Sequence, residues 1–444
     1  MPDAALGDAL QAGPVGALWR PRGHSRRPSP ERLHAAPRER ACVRMKLGSP
    51  ALALSCLCAA VLLGVLPSAR GDAPDAFVGI VQSGGVWWFS APGGKRFISL
   101  GVNHVEPSYW QSPSNTAFVL ATYGPGFVAP DGSLQDGSPA ADKWAQRVAA
   151  NLTSWGVNTL GFHNPLYKSL QSAGQAYYVV QLDLPVPWGW NMSRSALLRA
   201  FRRRPTDVFG DAFSAVAEAN AADVVKRYAD DPRVLGYAYT DGPPWTVDDD
   251  PETAELAPAE KIIHPWVLAL MSLPAESKGK QAWLACLKAR YSSPEQAGAT
   301  YSCAAAGWAA LADKTDWKAL ADTAAAAADN RAFLSELMRQ WYDVRKQAIR
   351  RHDRNHLILG DKLNMNRDSR HPDDLRRSLA VMKPYVDLIN IQYYGVFEKQ
   401  RDTLALLYRE AQKPVLNGDT TFRPIWKDQG NGSDCYYRQL GEEF

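Results

Sequence analysis

The chain has 444 residues, 46% of them hydrophobic and 22% charged, enough apolar material for one large core or two ordinary ones. Its formal charge of +4 belongs to the first 71 residues, which hold ten basic and four acidic side chains; the other 40 basic and 42 acidic residues net −2. That balance excludes a basic nucleic-acid-binding face, and the absence of any Cys-x-x-Cys or His-x-His pair argues against a metal centre.

Residues 1–44 are rich in Arg, Pro and Ala without an apolar period, a composition that cannot fold alone. They read as a disordered leader or an over-extended start, with a transit peptide as the alternative. Residues 45–71 read as a secretory signal peptide: Lys46 is the positive end, Ala51 to Leu66 the apolar stretch, and Ala69 and Gly71 the small residues before cleavage. A short membrane anchor is the competing reading. After cleavage no span is expected, and the protein is expected to be secreted. Asn151, Asn191 and Asn431 then become glycosylation acceptors, and Cys286–Cys303 a candidate disulfide that leaves Cys435 odd.

From residue 72 onward short β-rich runs alternate with amphipathic helices. A hairpin over Gly85–Ser90 and Pro92–Phe97 leads in. The first buried strand is Phe97–Asn103, followed by a helix over Ala141–Trp155, with Trp144, Val148, Leu152 and Trp155 at helical spacing. Val157–Phe162 is the second strand and Tyr177–Leu184 the third. A helix over Asp211–Tyr228 precedes the fourth strand, Val234–Tyr239. A stretch from about 251 to 329 forms a helical insertion that contains Cys286, Cys303 and the Ala-rich run 321–328. The longest helix, Asn330–Arg351, leads to the fifth strand, His356–Gly360. The sixth is Val386–Tyr394; after a helix over Thr403–Ala411, Lys413–Asn417 is the seventh.

Nearly all-apolar strands, each followed by a helix, predict a parallel sheet covered on its outside. Seven such units without a Gly-rich phosphate loop favour a (β/α)₈ TIM barrel, one domain over residues 72–444, truncated before its last strand. An open barrel exposes two strand edges.

In such barrels the strand C-termini carry function. They deliver Asn103, His104 and Glu106 after the first strand and His163 and Asn164 after the second. Trp188 and Trp190 follow the third strand, and Asp241 and Trp245 the fourth. The fifth ends in Asp361 beside Lys362, read as an ion pair, the sixth in Gln392, Tyr393 and Tyr394, and the seventh in Asp419. Polar groups and rings gathered at one end of an apolar barrel suit a sugar, whose hydroxyls need partners and whose faces need aromatic platforms.

Six segments, in order, resemble the β-agarase-type glycoside hydrolases. They are Gly101-Val-Asn-His, Trp155-Gly-Val-Asn-Thr-Leu-Gly, Asp231-Pro-Arg-Val-Leu-Gly-Tyr, Asn355-His-Leu-Ile-Leu-Gly, Val386-Asp-Leu-Ile-Asn and Lys413-Pro-Val-Leu. The resemblance implies a retaining glycosidase without cofactor that acts on a polysaccharide or oligosaccharide. It places a Glu acid/base after strand four and a Glu nucleophile after strand seven. Aligned on Trp245, the acid/base position holds Gly242, with Asp241 one residue earlier, and the nucleophile position holds Asp419. Asp241 and Asp419 are therefore the candidate catalytic pair. The rival expectation is a secreted carbohydrate-binding protein on a disabled hydrolase scaffold.

Overall fold

The computed structural model describes residues 76–105, 113–129, 134–182, 206–243, 245–247, 265–321, 323–369, 371–394 and 397–420, all within the compact unit Leu66–Phe444. Three short antiparallel strands come first: β1 (Gly79–Ser83), β2 (Val86–Ser90) and β3 (Arg96–Phe97). Gly84 and Gly85, with φ of 61° and 78°, make the β1–β2 turn that matches the strands' twist.

Seven parallel strands follow: β4 (Gly101–Val102), β5 (Thr159–Leu160), β6 (Tyr177–Gln181), β7 (Val234–Asp241), β8 (Ile358–Asn364), β9 (Ile389–Gln392) and β10 (Val415–Asp419). Each pairs with its sequence neighbour, in the order β10-β9-β8-β7-β6-β5-β4. This is the expected (β/α) barrel, nearly closed, with seven strands among the described residues and no pairing between β4 and β10.

The helices between strands are α1 (Pro113–Tyr123), α2 (Pro139–Ser154), α3 (Lys168–Ala173) and α4 (Asp211–Asn220), the last running through a π turn at Ala221–Val225 to Tyr228. Between β7 and β8 come α5 (Trp266–Met271), α6 (Lys278–Arg290), α7 (Pro294–Thr300), α8 (Trp308–Asp313) and α9 (Ala324–His352). Beyond β8 lie α10 (Met365–Asp368), α11 (Pro372–Met382) and α12 (Phe397–Ala411). Among the described residues of the predicted insertion, from 265 on, the elements are helices, and its Ala-rich end is the first turn of α9. Thr323 caps it by accepting from Ala326 N at 3.1 Å, and alanine favours the helix over a loop.

Two cores result. Leu235, Ala238, Phe162, Val179, Leu357, Leu359 and Leu388 fill the barrel's interior, while Tyr237, Trp341, Tyr342 and their neighbours fill the layer between strands and helices. Val78, Phe89 and Phe97 join the inner core from below; Phe97 stacks on Tyr177 at 4.5 Å and Phe77 meets His356 at 4.7 Å. The small sheet thus closes the N-terminal end of the barrel.

Two expectations are corrected here. Phe97–Asn103 is not one buried strand: Phe97 belongs to the small sheet, and Ile98 and Leu100 are 60% and 53% exposed beside the unpaired edge of β4. Cys286 and Cys303 carry free thiols rather than a bridge. Burial raises both thiol pKa values; next, Cys286 senses Glu336 and Arg339 on α9, and Cys303 senses Lys314, so they face different neighbours. Cys435 lies outside the described residues. Among the described residues, no helix is long and apolar enough to cross a membrane.

Candidate active site

The C-terminal ends of β4, β5, β8, β9 and β10 converge on Asp419. Its Oδ2 accepts from Lys362 Nζ at 2.6 Å and lies 3.6 Å from His163 Nε2. Lys362 Nζ also lies 2.8 Å from that same Nε2. Burial raises the pKa of the Asp419 carboxyl. The hydrogen bonds and charge of His163, Lys362 and Tyr394 outweigh it and hold the group well below the usual carboxylate range.

A cavity of about 480 Å³ opens beside Asp419, lined by Asn103, His104, Phe162, Tyr394, Gly418 and Thr420 among others, where β4 and β10 face each other unpaired. His104 and His163 stack across its rim with ring centroids 4.8 Å apart. Both adopt left-handed backbone, φ 55° and 58°, a conformation that costs a non-glycine residue and persists only when its surroundings enforce it.

The enforcement comes from two asparagines. Asn103 accepts from Phe162 N at 2.8 Å and donates to Gly418 O at 3.0 Å, so it ties β4 to β10 across the open seam. Asn164 accepts from Val105 N at 2.5 Å and donates to Val102 O at 2.8 Å and Gly161 O at 3.1 Å. Both were expected to bind sugar. Their amides bind backbone, so both residues build the site's frame.

Lys362 reaches the lumen because of Gly360. In the ladder Tyr237 pairs with Ile358 but Ala238 with Gly360, a bulge in β8, and Gly360 has φ 71°. Leu357 and Leu359 face the interior, and strict alternation would send Asp361 inward after them. The extra residue reverses the faces beyond it. Asp361 instead points at α9, where it accepts from Trp341 Nε1 at 2.8 Å and meets Arg345 Nη1 at 3.4 Å. The predicted Asp361–Lys362 pair does not form, and Asp361 leaves the candidate site. Sequence reasoning named Lys362 only as the ion-pair partner of Asp361; the signal for its place in the site was the glycine two residues before it.

Trp245 is also moved out. It is 4% exposed and stacks on Trp266 at 5.4 Å, with Trp341 and Tyr342 around it, so it is a core residue and not a platform for a sugar ring. Gln392 ends β9 half-buried, and Tyr393 packs its ring against the outer core while its N donates to Asp419 O at 3.1 Å. Tyr394 lines the cavity, its backbone clamped by Asn366 through bonds of 2.7 and 2.9 Å. Glu106, Trp188 and Trp190 lie outside the described residues, as does the side chain of Asp241, whose backbone ends β7 opposite Lys362.

The position one residue on is fully described. Gly242 N donates to Lys362 O at 2.7 Å, and a Cβ at 242 would fall 2.8 Å from that oxygen and 3.2 Å from Leu363 Cα. Backbone meets backbone there. No side chain fits without moving a strand.

No protein-family model matches the sequence, and no curated protein matches it. Solved structures do. An exo-β-agarase shares 16% identity with a TM-score of 0.56, over 78% of this chain and 53% of that one. The fold is that of the agarase barrel. The agarase AgWH50C matches at 16% identity and TM-score 0.56, over 79% and 53% of the two chains, and PfGH50B at 15% and 0.58, over 83% and 57%. The chain therefore spans little more than half the length of these agarase-fold proteins.

Proposed function

We propose that the protein acts on O-glycosidic bonds of a polysaccharide or oligosaccharide, with Asp419 as its nucleophile or base. The observation that carries this reading is a carboxylate at the end of β10, held by Lys362 at 2.6 Å beside a cavity lined by polar and aromatic residues. In the retaining version Asp419 attacks the anomeric carbon while the bond to the leaving oxygen breaks. Asp241 gives that oxygen its proton, and water then releases the sugar from Asp419. The agarase neighbours suggest a β-linked galactan as the first substrate to test. Secretion through residues 45–71 and glycosylation at Asn151, on the exposed side of α2, belong to the same proposal.

The test is reducing-end release from agarose-derived oligosaccharides and a wider glycan panel by the wild type, Asp419→Asn and Asp241→Asn. Turnover that disappears in Asp419→Asn, with binding kept, supports the hydrolase. Gly242 favours a second reading, a carbohydrate-binding barrel without turnover, because the family's acid/base position is empty and closed to a side chain. Binding without turnover by the wild type would select it. Neither binding nor turnover across the panel would overturn both.

A further inference from the structure

We propose that Lys362 is the positioning residue of Asp419, fixing which carboxylate oxygen faces the cavity and keeping that carboxylate ionised; this rests on the reading of Asp419 as the carboxylate of the site. Lys362 is wholly buried, its Nζ 5.1 Å over the ring of Phe162 and bonded at once to Asp419 and His163. A buried ammonium is costly unless its partners are fixed, and here the partners come from the ends of two other strands, β5 and β10. Lys362 Nζ binds one oxygen, Oδ2, and His163 Nε2 lies 3.6 Å from the same atom, which restricts the rotation of the carboxylate.

The groups that face Asp419 are Lys362 from β8, His163 after β5 with His104 stacked behind it, and Tyr394 after β9. Lys362, like the left-handed His104 and His163, is delivered by a special backbone feature, here the Gly360 bulge. An ordinary structural ion pair would tie β8 to β10 anywhere along their length. This one sits at the cavity's edge and acts through the residue that would touch substrate, a placement that packing does not require.

The experiment needs no glycan. A water-soluble carbodiimide couples an amine to protonated carboxyl groups, and peptide mass mapping reads each site. Between pH 4 and 6 wild-type Asp419 is expected to label far more slowly than exposed Asp373. Lys362→Met should bring the two rates together, and Lys362→Arg, which keeps the charge, should restore the difference. Circular dichroism checks that each variant is folded. Wild-type Asp419 labelling as fast as Asp373 would overturn the proposal even if Lys362→Met does not fold. So would protection of Asp419 that persists in folded Lys362→Met.

If the wild type turns over a glycan, Lys362→Met should lower kcat on the order of 10²-fold with KM little changed, and raise the acid limb of the pH profile. Lys362→Arg should recover most of the rate. Absence of turnover in the wild type would sink the hydrolase reading and leave the labelling result to judge Lys362.

Discussion

Asp361 and Lys362 are bonded neighbours that serve opposite faces of one strand. The carboxylate of Asp361 lies 3.4 Å from Arg345 in the outer layer, while the ammonium of Lys362 lies 2.6 Å from Asp419 in the lumen. Gly360 sets this division. A Cβ there would sit 2.6 Å from Val386 Cγ1, and the φ of 71° is costly for any residue with a side chain. Gly360→Ala should cost about 2–4 kcal/mol in urea denaturation, from the left-handed penalty plus overpacking. An unchanged midpoint would mean that the bulge is not what the fold needs.

Arg345 is wholly buried, its guanidinium 3.4 Å over the Trp341 ring and 4.8 Å over that of Tyr239. Burial pulls its pKa down to about 10, against the pull of Asp361. Asp361→Asn should therefore cost about 3–5 kcal/mol, because it strands a cation in the core. The double variant Asp361→Leu/Arg345→Met removes both charges and should be close to neutral. A double-mutant cycle by chemical denaturation measures the difference, and equal costs for the single and double changes would refute it.

Gly242→Glu would write the family's acid into the sequence, yet the backbone of β8 occupies the space its Cβ needs. The variant should lose thermal stability by several degrees, about 1–3 kcal/mol of overpacking, and gain no turnover on agarose-derived oligosaccharides. A stable variant with new activity would show that the end of β7 can relax and that a single substitution separates this site from the family's.

Lys280, buried in the insertion, donates to Met271 O at the end of α5 and to Lys314 O, 2.6 Å away, at the end of α8. Burial pulls its pKa down to about 8, below the roughly 10.4 of an unfolded lysine. Between those values the unfolded chain holds a proton that the folded one has released, so this residue's contribution to stability rises as pH increases. The stability difference between wild type and Lys280→Met should shift in favour of wild type from pH 8 to 9.5. A flat difference would place the titration elsewhere.

Much of the barrel was legible in the chain. Apolar runs such as Val234–Tyr239 and the core of Val386–Tyr394, Ile389–Gln392, are strands because both faces are buried, and a helix after each makes them parallel. That pattern, with Asp419 at the end of the seventh run, needed no coordinates. Ile98 and Leu100 misled the reading, since an apolar run also occurs at an edge that the described residues leave uncovered.

The site was legible only as a set of positions. Sequence fixes which residues end each strand, because strand length and order are local properties of hydrophobic pattern. It does not fix which face a side chain takes past a bulge, and at Gly360 one extra residue exchanged Asp361 for Lys362. Nor does it distinguish an amide that binds backbone, as Asn103 and Asn164 do, from one offered to a ligand. Burial of Trp245 against Trp266 and closure of the backbone over Gly242 arise from contacts between segments far apart in the chain. Those were decided by tertiary packing alone, since only the folded chain sets the distances on which steric exclusion and ion pairing act.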